Sequence, residues 1–125
     1  MDQIKIMLVD DLPFMRDAIR HIVEESNMYV LGEAENGREA VKLYMELEPD
    51  IVLMDITMPV MDGLESLKRI RLYDPGAKVI MCSALGQQKY IIKAIQLGAR
   101  DFILKPFQAE RILSAITKAT GINDK

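Results

Sequence analysis

The sequence predicts an α/β fold, a doubly wound parallel sheet with helices on both faces. Two observations carry that expectation. Five short apolar β-type runs, which read as buried strands, alternate with stretches whose apolar residues recur at helical spacing. The chain has 125 residues, 50% apolar and 28% charged, which suits one compact domain with a full core.

The first strand is Lys5 to Val9, and the stripe Met15, Ile19, Ile22 and Val23 marks the helix after it. A second strand, Tyr29 to Ala34, precedes a helix with its stripe at Ala40, Val41, Tyr44 and Leu47. Ile51 to Met54 forms the third; Asp62 and Glu65 then stand at capping-box spacing before the stripe Leu64, Leu67 and Ile70. Lys78 to Cys82 is the fourth, and Gly98 is placed to end the helix that follows. In that helix Ile91 and Ile92 are neighbours, so only one can point fully at the sheet, while Ile95 completes a buried stripe with either. Phe102 to Leu104 is the fifth strand, and Gly121 is placed to end the last helix. The pattern (βα)5 uses the whole chain: a single domain over 1–125, its core about 4–120, with Asn123-Asp124-Lys125 as a frayed tail.

Charge and composition exclude several function classes. A net charge of -3 without a lysine or arginine run leaves no footprint for nucleic acid. The apolar run from Ile4 to Val9 is too short for a membrane span and lacks a signal peptide's layout, so the protein is expected in the cytoplasm and off the membrane. Cys82 is the single cysteine and forms no internal disulfide; in a strand it packs as a small hydrophobe. His21 lies off its helix's stripe and is expected to face solvent.

The chemistry is expected at the strand ends. Asp10, Asp11 and Asp55 each follow an apolar run, and Lys105 stands in a fourth such place before Pro106. Carboxylates at the carboxyl ends of parallel strands converge on the rim where open α/β sheets bind ligands. Magnesium (Mg2+), or manganese (Mn2+) in its place, accepts oxygen ligands and keeps several waters, so these three aspartates can hold it. Asp55, between metal and lysine, is then the nucleophile for phosphoryl transfer, where catalysis is mainly positioning and charge neutralisation. Singly, each residue has a plainer reading: aspartates cap helices, Asp11 ahead of Pro13 could start the first helix, and Lys105, Ser83 and Thr57 could be ordinary loop residues. Only joint placement favours a site.

The pair Asp10-Asp11, the segment Asp55-Ile56-Thr57-Met58-Pro59 with Asp62-Gly63, the pair Ser83-Ala84, and Lys105-Pro106-Phe107 together resemble the response-regulator receiver domain, over residues 4 to 120. Within that family the chain is similar to the single-domain chemotaxis regulators. The resemblance implies a flavodoxin-like fold with strand order 2-1-3-4-5. It implies that Asp55 accepts phosphate from a histidine kinase, that Lys105 and Ser83 hold the phosphoryl oxygens, and that the Thr57 carbonyl joins the metal shell. It implies a cis peptide before Pro106 and a switch formed by Ser83 and Phe102. The partner face would include Ile91, Lys93 and Phe102, with Ile91 the exposed isoleucine. Partners would be the kinase, a flagellar motor switch protein or other target, and a phosphatase. The protein would act as a monomeric signalling component controlling flagellar rotation, not a turnover enzyme. Phe102 lacks the hydroxyl of the tyrosine often found there, so its switch would rest on packing. Apolar Leu85, two residues after Ser83, is expected to restrict the attacking water and slow loss of phosphate. The chain stops just after the fifth helix, so no output domain is expected.

Rival readings are a phosphorelay or non-chemotaxis receiver, a flavodoxin-like cofactor carrier and an aspartate phosphatase. Asp10-Asp11-Leu12-Pro13 would repel a flavin phosphate, and the phosphatase would want its acidic pair spaced by one residue.

Overall fold

The computed structural model describes residues 3–84 and 86–121. Five parallel strands alternate with helices: β1 (Lys5–Val9), α1 (Pro13–Glu25), β2 (Tyr29–Ala34), α2 (Gly37–Leu47), β3 (Ile51–Asp55), α3 (Gly63–Tyr73), β4 (Val79–Ser83), α4 (Ile91–Gln96), β5 (Asp101–Leu104) and α5 (Ala109–Thr120). Their order is β2-β1-β3-β4-β5, as the family resemblance implies. A strand's side chains alternate between faces, so each strand feeds two cores. Ile6, Leu8, Leu53, Ile80 and Ile103 pack with Ile19, Val23, Ile112 and Ile116 of α1 and α5. Met7, Val9, Val52, Met54 and Met81 pack with Ala40, Tyr44, Leu67 and Ile70 of α2 and α3.

Local signals place the helix ends. Asp62 accepts the Glu65 N–H at 2.9 Å, and Asn36 accepts the Glu39 N–H at 2.9 Å, each satisfying a first-turn donor. Gly98, at φ 101°, lies just past α4 in the left-handed region that favours glycine. Gly63 serves a different need, because a Cβ there would sit 2.1 Å from the Asp55 carbonyl oxygen. Its bare backbone lets α3 start against the end of β3.

The fourth helix departs from expectation. Only six residues long, it follows a 3-10 turn at Gln88–Tyr90 and buries Ala94. Ile91 and Leu97, three residues either side of Ala94, are half-buried on that inward face. Ile92 and Ile95 therefore point outward, 69% and 54% exposed. The expectations that Ile91 is the exposed isoleucine and that Ile95 is buried are both overturned, because the stripe is centred on Ala94 rather than on an isoleucine pair. Strands β3 and β4 each end one residue later than expected, so Asp55 and Ser83 are the final residues of their strands.

Candidate functional site

Strands β1, β3, β4 and β5 are neighbours, so their carboxyl ends bring Asp10, Asp55, Ser83 and Lys105 to one rim. Asp10 and Asp55 are buried, Asp11 is half-buried, and one oxygen from each lies within 4.8 Å of the other two. Lys105 Nζ donates to Asp10 Oδ2 and to Asp55 Oδ1, both at 3.1 Å. The Lys105–Pro106 peptide bond is cis. The second Asp10 oxygen accepts the Leu12 N–H at 3.0 Å, and the Asp10 carbonyl accepts from Arg16, whose Nε is held by Glu33 at 2.8 Å. Helix α1 has Leu12 at its N-cap and no side-chain capping bond, so Asp11 is not spent as a cap.

Three carboxylates and one ammonium leave the cup two charges negative when all are ionised. At 4.8 Å and an effective dielectric near 20, each carboxylate pair repels by about 3.5 kcal/mol. Burial raises the pKa of Asp55; the Lys105 charge opposes that rise and the Asp10 charge adds to it. For Lys105, burial favours the neutral amine, but Asp55 and Asp10 together outweigh it and hold the ammonium above its ordinary range. The donor set fits a hard divalent cation: it is all oxygen, it converges, and it carries surplus negative charge. Thr57 lies two residues beyond Asp55 with its side chain exposed; its hydroxyl accepts from Gln87 Nε2.

Ser83 Oγ is fully buried and has no hydrogen-bond partner among the described residues. It stands at the end of β4, one residue past Cys82, the cross-strand partner of Asp55. A buried hydroxyl without a partner is costly, and an incoming oxygen ligand would satisfy it.

Phe102 is half-buried against the second core and Lys93 is exposed. Leu85 lies outside the described residues, as does the tail 123–125. His21 is exposed, 3.3 Å from Glu25. Two residues near the site were not visible in the sequence. Gln87 accepts the Ala84 N–H at 2.6 Å and donates to Thr57, tying the loop after β4 to the loop after β3. Arg16 links α1 to both Asp10 and Glu33. Arg16 is off its helix's apolar stripe, and Gln87, though within the segment Ser83 to Gln88, has no role of its own legible there, so only a partner in space reveals what each does.

Residues 6–117 match the family model described as the response regulator receiver domain. A chemotaxis protein CheY of Listeria monocytogenes is 60% identical over 93% of this chain and 98% of its own length. The CheY of Bacillus subtilis is 55% identical over 91% and 95%. Among solved structures, a CheX–CheY–BeF3–Mg2+ complex from Borrelia burgdorferi aligns with a TM-score of 0.87 and 34% identity, covering 91% of this chain and 87% of that one.

Proposed function

The chain belongs to the response regulator receiver domain family, and from that premise we propose that it is a magnesium-dependent phosphoacceptor of chemotaxis. The observation that carries the reading is the Lys105 ammonium spanning Asp10 and Asp55, with Asp11 alongside and the Ser83 hydroxyl unpartnered at the same rim. Aspartates capping helices or lysines in open loops would not converge in this way.

In this reading an Asp55 carboxylate oxygen attacks the phosphorus of a phosphohistidine on a partner kinase. The O–P bond forms as the P–N bond breaks, and the imidazole leaves with the electron pair. Lys105 shifts its contact from Asp55 Oδ1 to a phosphoryl oxygen, and Ser83 donates its hydrogen to another. Asp10, Asp11, Asp55 and the Thr57 carbonyl would hold magnesium, whose charge offsets the carboxylates and the incoming phosphoryl oxygens. The reaction ends on the protein itself, so the chain acts as a signalling component rather than a turnover enzyme.

Phosphate is then read at a second surface. Ser83 moving toward the phosphoryl group leaves space for Phe102, and coupling of about 1–3 kcal/mol suffices for a useful population shift. The partners are a flagellar switch protein or other target and, as the family resemblance implies, a phosphatase; the setting is the cytoplasm. Among the described residues, no helix is long and apolar enough to cross a membrane.

Incubation with acetyl phosphate and magnesium, followed by mass spectrometry, tests the reading. Phosphate on Asp55, lost in Asp55→Asn, is expected, together with capture of a flagellar switch protein by the product. Equal labelling of parent and variant would refute the assignment of Asp55.

A further inference from the structure

We propose that the groove between α2 and α3 is a docking site for an acidic amphipathic helix of a partner protein. The groove encloses about 500 Å³, within the range of about 300–1,000 Å³ typical of ligand clefts. Its apolar wall is Val41, Met45, Val60 and Met61, and its rim is Arg38, Lys42 and Arg69. It flanks α2, the helix joining the edge strand β2 to β3, whereas β5 and the face containing Phe102 lie at the opposite edge.

Three features point to that occupant. Val60 and Met45 are 74% and 45% exposed, so large apolar groups line the groove without a cover among the described residues. Methionines adapt to varied partner shapes, which suits a peptide-binding wall. Val60 also holds φ 69°, in a tight turn where the Met61 N–H donates to the Pro59 carbonyl at 2.7 Å. A β-branched residue in that region is strained, and at 74% exposure Val60 has little core packing to offset the strain.

Charge selects the partner. Arg38 and Lys42 are one turn apart on α2, and neither has a carboxylate partner among the described residues; Arg69 pairs with Glu65 at 2.8 Å. Two unpaired cations along the α2 side of an apolar floor, on a chain of net charge -3, complement a helix with an apolar stripe flanked by carboxylates. A second copy fits poorly, because a two-fold contact would set Arg38 and Lys42 against themselves. Three cations without a longer basic track are also a poor match to nucleic acid.

The test uses the 15N-labelled full chain and synthetic helical peptides of about 18 residues, or five turns, with leucine at every third or fourth position and flanking glutamates in three registers. At least one is expected to shift the amides of residues 37–45, 60 and 61. The Arg38→Glu, Lys42→Glu double variant should weaken it at least about tenfold with its melting temperature unchanged, since both residues are exposed. Val60→Asn, which suits the backbone, should keep the fold and weaken binding as well. The proposal is overturned if no glutamate peptide shifts those amides at about 1 mM, a limit of roughly 4 kcal/mol. Equal binding by lysine-substituted peptides, self-association through the groove, or response only to an oligonucleotide would overturn it too.

Discussion

Replacing Asp11 with asparagine should stabilise the metal-free protein while weakening its response to magnesium. The Asp11 oxygen lies within 4.8 Å of oxygens from Asp10 and Asp55, so the two repulsions amount to about 7 kcal/mol at an effective dielectric near 20. Asp11 is only half-buried, and water screens such pairs strongly, which reduces the recoverable part to about 1–2 kcal/mol. No hydrogen bond is lost in exchange, because Lys105 bonds Asp10 and Asp55 rather than Asp11, although its charge in the same cup offsets part of the repulsion. For a chain this size about 1 kcal/mol moves the melting temperature by about 4 °C, so Asp11→Asn in EDTA should melt roughly 4–8 °C above its parent. Magnesium reverses the comparison: at ten times its dissociation constant it adds about 1.4 kcal/mol to the parent and less to the variant. Thermal melts of both proteins, with EDTA and with magnesium, give the four values needed. An unchanged or lower melting temperature for Asp11→Asn in EDTA, or an equal magnesium shift in both, would refute the electrostatic account of the cup.

Burial pushes the Cys82 thiol up to about 12, so the native protein should not react with a disulfide reagent at pH 8 yet should react fully in urea; native labelling would contradict the burial. Because the folded value lies above the unfolded one, stability is unaffected below about pH 9 and falls by up to about 1.4 kcal/mol per pH unit above it. Gly63→Ala places a Cβ 2.1 Å from the Asp55 carbonyl and should cost about 3 kcal/mol in urea unfolding; a variant as stable as its parent would mean α3 can retreat freely. Phe102→Ala should still accept phosphate from acetyl phosphate but bind its target with altered affinity, and unchanged affinity would remove Phe102 from signalling.

Asp10, Asp55 and Lys105 were legible in the sequence because each sits directly after an apolar run, with Asp11 next to Asp10, and a parallel sheet carries all such positions to one edge. The alternation of strands and helices, the caps at Asp62 and Gly98, and the two-faced burial of β1, β3 and β4 were legible for a similar reason: period, cap chemistry and composition act over a few residues. Strand order came from the resemblance, since periodicity carries no information about which strands are neighbours. The orientation of α4 was misread because adjacent isoleucines compete for the core, and the choice between them depends on how Ala94 approaches the sheet.

Other features existed only once the chain had folded. The Lys105 bridge spans 95 residues to Asp10 and 50 to Asp55. Gln87 meets Thr57 across two loops, Arg16 meets Glu33 across a helix and a strand, and the Ser83 hydroxyl lacks a partner among the described residues only because of how they pack around it. The groove is likewise made by a loop after β3 meeting the side of α2. Sequence determined which chemical groups stand at strand ends; tertiary structure decided their distances, burial and partners, because Coulomb energy and hydrogen bonding depend on separation in space, which a one-dimensional pattern does not contain.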